Sequence, residues 1–113
     1  ENCFIVTGNL YPWISHIVAE IGCGLYANDA ENANGQLIRL KPLMRKSEPV
    51  LQLRDRFDRV VAIGDGANDV PMFEVADIGV AYGGVHMPFT GLYDVADYAV
   101  FDSETLCRLL TSL

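Results

Sequence analysis

Two carboxylates stand four residues apart in Gly64-Asp65-Gly66-Ala67-Asn68-Asp69, with the Asn68 amide between them, directly after the apolar run Arg59 to Ile63. The glycines let the backbone turn sharply. Hard oxygen donors in such a turn suit Mg²⁺, which takes one or two carboxylates and keeps several waters. Upstream, Thr7-Gly8-Asn9 follows the apolar run Cys3 to Val6 and precedes Pro12, a residue suited to the first turn of a helix. A hydroxyl and an accessible backbone N–H just ahead of a helix N-terminus outline an anion site. Lys46, ahead of a helix start at Ser47, would add positive charge. Alone, each feature has an ordinary reading: a turn, a turn with a helix cap, a solvated lysine. Together, each at a strand or helix edge, they point to a phosphorylated ligand held with a divalent cation.

Alternating β and α elements position these residues. Cys3 to Val6 reads as a buried strand ending at Thr7-Gly8-Asn9. A helix follows whose inward face carries Trp13, Ile14, Ile17, Val18 and Ile21, and Gly22 ends it. On this reading His16 lies on the opposite, solvated face. Gly24 to Ala27 is a short strand, and Asn34-Gly35 is a hairpin turn before Gln36 to Leu40. Ser47 caps a helix bearing Val50, Leu51, Leu53 and Phe57, with Pro49 in its first turn. Arg59 to Ile63 has the continuous apolar character of a strand in the middle of a parallel sheet. Next come a helix from Asn68 to about Val75, a strand Ile78 to Ala81, a Gly83-Gly84 break with His86 in an ordinary loop, and a helical stretch near Phe89 to Val95. A strand Tyr98 to Phe101 precedes a last helix capped by Ser103 with Leu106, Leu109, Leu110 and Leu113 inward. The expected fold class is α/β, a Rossmann-like, mostly parallel sheet with helices on both faces, forming one core domain over residues 1–113 without a cap domain.

Composition narrows the function classes. The 113 residues carry 8 Lys and Arg against 15 Asp and Glu, a net charge of −7, and are 50% hydrophobic and 20% charged. That balance fits a folded domain with a real core and argues against nucleic-acid or anionic-membrane partners, which select clustered basic residues. No apolar run approaches membrane-spanning length and no signal-like layout opens the chain, so the expected location is cytoplasmic. Cys3, Cys23 and Cys107 are odd in number, far apart and set in apolar runs, which suits reduced core thiols rather than disulfides or a zinc site.

The chain resembles the haloacid dehalogenase superfamily, most closely its phosphoserine-phosphatase-like branch. The resemblance rests on IVTGN, on Lys46 in RKSEPV, and above all on VVAIGDGANDVPMFEVADIGVAYGG, with NANGQLIRL similar to a hairpin of that branch. It covers nearly the whole chain. It implies that Thr7 and Lys46 act catalytically, Thr7 as a hydroxyl donor to a phosphoryl oxygen and Lys46 as a neutralising charge. Gly8, Asn9, Gly66 and Asn68 would contact the substrate phosphate. Asp65 would bind Mg²⁺ and Asp69 the metal or its water. The activity implied is Mg²⁺-dependent hydrolysis of a small phosphorylated metabolite through an aspartyl-phosphate.

One departure is large: the family's first element, an Asp followed two residues later by a second acid, has no counterpart, and no Asp-x-Asp occurs in the sequence. The chain opens at Glu1 without a Met and already inside a strand-like run, so it is expected to be a piece of something longer. Asp102-Ser103-Glu104-Thr105 would imitate the missing motif in a permuted domain, although a helix cap at a sheet edge is the plainer reading. In the family the absent strand lies between those ending at Thr7 and Asp65. Exposed central edges are templates for pairing, so a homo-oligomer or a partner chain supplying the strand is expected. Two other readings stand beside the enzyme: an inactive phosphate- and Mg²⁺-binding regulatory module, and part of the phosphorylation domain of a P-type ATPase, which shares TGN and GDGAND.

Overall fold

Short apolar runs, each broken by a turn and followed by a helical periodicity, fold here into parallel strand pairs joined through helices. The computed structural model describes residues 2–28, 30–33, 36–40 and 45–113, and the backbone alone at residues 9, 10, 30–33 and 36–40. The chain forms two compact units, Glu1–Arg45 and Lys46–Leu113.

In the first unit, β1 (Phe4–Leu10) and β2 (Gly24–Asn28) pair in parallel around the connecting helix α1 (Tyr11–Ile21). The sequence places Thr7-Gly8-Asn9 beyond the strand, whereas the strand runs through it. The ladder is irregular there: Val6 pairs with Tyr26 and Leu10 with Asn28, so β1 carries two extra residues between these rungs. A bulge re-aims the backbone at this point, as bulges do beside functional sites. Gly22 ends α1 with φ +82°, its N–H 3.2 Å from the Ala19 carbonyl and the Cys23 N–H 3.4 Å from that of Val18. This is the left-handed cap that glycine accepts without a Cβ penalty.

The inward face read for α1 is corrected. Val18 is buried and Ile14 half-buried, but Trp13, Ile17 and Ile21 are 65%, 44% and 61% exposed. A two-stranded sheet is too narrow to cover the full apolar arc. His16 is exposed, as read. The antiparallel hairpin of β3 (Ala30–Ala33) and β4 (Gln36–Leu40) is present with Ala33 opposite Gln36, and its Asn34-Gly35 turn lies outside the described residues.

In the second unit, β5 (Val61–Gly64), β6 (Ile78–Tyr82) and β7 (Tyr98–Val100) form a parallel sheet in that order. The unit also contains α2 (Ser47–Arg54), α3 (Val70–Val75) and α4 (Ser103–Ser112), with α3 against β5 and β6 and α2 against α3, and 3-10 turns lie at Ala67–Asp69 and Thr90–Asp94. The core comprises Val50 and Leu53 of α2, Met72 and Phe73 of α3, Ala62, Val80, Ala81 and Val100 of the sheet, and Leu92. β6, rather than the VVAI strand, is central. Val80 and Ala81 are fully buried, whereas Ile63 on β5 is 38% exposed. A strand with interior composition therefore stands at an edge of its sheet.

Both caps read from serines are also corrected. Lys46 precedes α2 as its cap residue without a side-chain hydrogen bond, and Ser47 is already helical. At α4 the cap is Asp102, whose Oδ1 accepts the Thr105 N–H at 2.7 Å and whose Oδ2 accepts the Thr105 hydroxyl at 2.8 Å. A carboxylate accepts from two donors at once, so Asp102 outcompetes the adjacent serine. Leu51 and Leu110 are exposed, at 49% and 39%. The cysteines are not core thiols: Cys3 and Cys107 are exposed and Cys23 is half-buried.

Candidate functional site

β5 ends at Gly64, and the chain turns at once so that the Asp69 carboxylate reaches back under the turn. Asp69 Oδ2 accepts the N–H groups of Asp65 and Gly66, each at 3.0 Å, and Oδ1 accepts Lys46 Nζ at 2.7 Å. Asp69 is buried, and the side chains of Lys46 and Asp69 are 15% and 7% exposed. Gly64 is required for this approach, because a Cβ there would collide with the Asp69 carboxylate. Lys46, 23 residues upstream, is thereby fixed beside the turn by the start of α2.

Asp65 is half-buried at the carboxyl end of β5, where parallel α/β sheets bind ligands. Its N–H goes to Asp69 and its carbonyl accepts the Phe89 N–H at 2.8 Å. Among the described residues no hydrogen bond or ion pair engages its carboxylate. Gly66 is half-buried and Asn68 exposed in the following turn.

This donor set fits Mg²⁺ in part. Asp65 offers free hard oxygens of the kind Mg²⁺ takes singly or in pairs alongside water. Asp69 does not fit as a direct ligand, since both oxygens already accept and an ammonium sits 2.7 Å away. Its place is to hold the turn and Lys46, and any contact with a cation would run through water. Among the described residues no cluster of three or more His, Cys, Asp or Glu forms a metal site.

Thr7 and Gly8 belong to the bulged end of β1. There the Asn28 side chain, buried at the end of β2, donates from Nδ2 to the Gly8 carbonyl at 2.7 Å. The side chain of Asn9 lies outside the described residues. The structure thus gathers the predicted residues into two groups, Lys46 with Asp65, Gly66 and Asp69, and Thr7 with Gly8. Asn28 was missed by sequence reasoning. Its signal is a lone amide ending the apolar run Leu25 to Ala27, a position that parallel pairing sets beside the bulge. Asp102, the alternative nucleophile, caps α4 just after the edge strand β7, and the hydrogen bonds from Thr105 hold its carboxyl below the usual range.

Residues 47–87 match the family model of haloacid dehalogenase-like hydrolases. A phosphoserine phosphatase in its apo form superposes with a TM-score of 0.77 at 23% identity, over 93% of this chain and 56% of that one. The phosphoserine phosphatase of T. onnurineus gives 0.71 at 28% identity, over 99% of this chain and 52% of that one. The chain belongs to the haloacid dehalogenase superfamily, with a phosphoserine-phosphatase-like fold. Two transport ATPases are also similar to it. Calcium-transporting ATPase 2, plasma membrane-type, of Arabidopsis thaliana is 37% identical over 98 residues, 70% of this chain and 10% of the pump. Phospholipid-transporting ATPase VD of Homo sapiens is 43% identical over 75 residues, 64% of this chain and 5% of that protein. The chain therefore spans about a tenth or less of these curated relatives and about half of the phosphatases. Among the described residues no helix is long and apolar enough to cross a membrane.

Proposed function

We propose that this haloacid dehalogenase-like chain supplies the phosphate- and cation-binding elements of a phosphomonoesterase acting on a small phosphorylated metabolite. The observation that carries the reading is the buried Lys46–Asp69 pair at 2.7 Å, which leaves the Asp65 carboxylate uncommitted at the end of β5. In this reading Lys46 offsets phosphoryl charge, and Thr7 and the Gly8 N–H donate to phosphoryl oxygens, with Asn9, Gly66 and Asn68 contacting the phosphate. Asp65 holds Mg²⁺, which when bound would neutralise part of the phosphate charge. Asp69 keeps Lys46 aligned through the reaction. The nucleophilic Asp of an aspartyl-phosphate pathway is not among these residues and would come from a segment outside this 113-residue sequence.

Calorimetric titration of Mg²⁺ tests the assignment. Asp65→Asn is expected to weaken binding by about tenfold or more, given that even outer-shell changes cost about that much. Unchanged affinity in that variant overturns it. A second reading, part of the phosphorylation domain of a transport ATPase, is favoured by the 37% identity to the plant calcium pump. The β3–β4 hairpin weighs toward the phosphatases. With a nucleophile-bearing segment added to the chain, phosphate release from small monoesters rather than ATP supports the first reading, and the reverse supports the second. Mg²⁺ binding with neither turnover even when that segment is present fits a regulatory module.

A further inference from the structure

The crossover unit β1–α1–β2 brings together two side chains that twenty residues of sequence keep apart. Cys3 directly precedes β1 and Cys23 directly precedes β2. The first rung of the parallel ladder, Phe4 with Gly24, sets the two cysteines opposite one another one step earlier. Their Sγ atoms are 3.2 Å apart. Both backbones are held in place. The Cys3 carbonyl accepts the Gly24 N–H at 3.0 Å, and the Cys23 N–H closes the α1 cap on Val18. Beyond the cysteines, the rings of Phe4 and Tyr26 pack diagonally across the ladder with centroids 6.1 Å apart.

We propose that Cys3 and Cys23 are a reversible dithiol–disulfide pair that reacts with low-molecular-weight disulfides such as oxidised glutathione. Adjacent strands lie about 4.8 Å apart, within the range of Cα separations a disulfide spans, and the bond itself is about 2.05 Å. Closing from 3.2 Å therefore needs side-chain rotation and no strand movement. Cys3 is exposed and reachable by a reagent, while Cys23 is half-buried beside it. The Cys3 thiolate attacks one sulfur of the reagent, forming a mixed disulfide and expelling one reagent thiolate. The Cys23 thiolate then attacks the Cys3 sulfur, forming the Cys3–Cys23 bond and expelling the second. Two electrons and two protons pass in all from the cysteines to the reagent, which leaves as two thiols. Cys107, exposed on α4 in the other unit, has no such neighbour and remains a thiol.

The bond would fasten the base of the two strands whose opposite ends carry Gly8 and Asn28, joined at 2.7 Å. Oxidation therefore fixes the register that positions the bulge. This inference does not rest on the phosphatase reading.

Reduced protein incubated with millimolar oxidised glutathione provides the test. Wild type and Cys107→Ser are expected to lose two titratable thiols and the mass of two hydrogens, with a rate independent of protein concentration and a Cys3–Cys23 cross-link in peptide maps. Cys3→Ser and Cys23→Ser are expected to gain only glutathione adducts. In native-state hydrogen exchange the β1 and β2 amides of the oxidised wild type should exchange about tenfold or more slowly than those of the reduced form, because closing a loop of this size constrains the opened unit. Should either serine variant fail to fold, phenylarsine oxide, which bridges paired thiols, gives a second readout on wild type. A one-to-one adduct that blocks the cross-link supports the pair. Glutathione adducts on wild type, a link through Cys107, dimers joined by cysteine, or unchanged exchange of the β1 and β2 amides each overturn the proposal.

Discussion

Asp69 commits one oxygen to Lys46 and the other to two backbone N–H groups, so a single carboxylate sets both the turn and the charge beside it. Removing one partner of a buried ion pair leaves an uncompensated charge, at a cost of about 3 kcal/mol or more. Lys46→Met and Asp69→Ala are each expected to destabilise by about that amount. The double variant should recover part of it, with a coupling of about 1 to 3 kcal/mol in denaturant melts. Additive losses would mean that the two side chains do not act as a pair. Much of this is legible in the sequence, because the spacing Asp65 to Asp69 and the glycines between them impose one tight turn. The division of labour between the two aspartates is not. It depends on where a lysine 23 residues away comes to rest, and no local pattern encodes that.

At the scale of elements, the strands are legible to within about two residues where a turn closes the apolar run, but β1 runs four residues past Val6, through its turn signal, to Leu10. The helix ends are less so, because adjacent residues compete for the same cap. At α4 the competition is between Asp102 and Ser103, and it predicts a pH dependence. Hydrogen bonds from the Thr105 N–H and hydroxyl hold the Asp102 carboxyl below its ordinary value, with Arg108 contributing. A group whose carboxyl is depressed on folding contributes stability that is present above its unfolded value, near 3.9, and is lost as pH falls through the folded one. Asp102→Ala is therefore expected to lower the melting midpoint at neutral pH and to match wild type well below pH 4, where the cap is protonated. Ser103→Ala should do neither. A deficit in Asp102→Ala that persists unchanged into acid would assign its effect to packing rather than to the charged cap. The α1 helix shows the other limit of sequence reading. Its apolar arc is plain, but how much of it is covered depends on the width of the sheet beneath it.

For the whole molecule, the distribution of buried apolar residues separates the two units. Of the ten buried among the described residues, only Val18 lies in Glu1–Arg45, and the rest belong to Lys46–Leu113. Apolar burial contributes about 25 cal/mol per Å², so the second unit should set the global stability. Within it, among the described residues, β6 is flanked on both sides, whereas β5 has a neighbour on one side only. In native-state hydrogen exchange, amides of β6 are expected to be slowest. Those of β1 and β2 should exchange about tenfold or more faster through partial opening, a difference of roughly 1.4 kcal/mol. The free edge of β5 adds a concentration dependence. Its apolar residues suit a strand enclosed on both sides, and an unpaired edge of that kind is a template for another strand. If a second copy or a partner docks there, the β5 amides should gain protection as the chain is concentrated or the partner added, while β6 amides stay unchanged. Protection of β5 that is independent of concentration and already equal to that of β6 would mean that the edge is closed by other means. Association would then not run through the β5 edge.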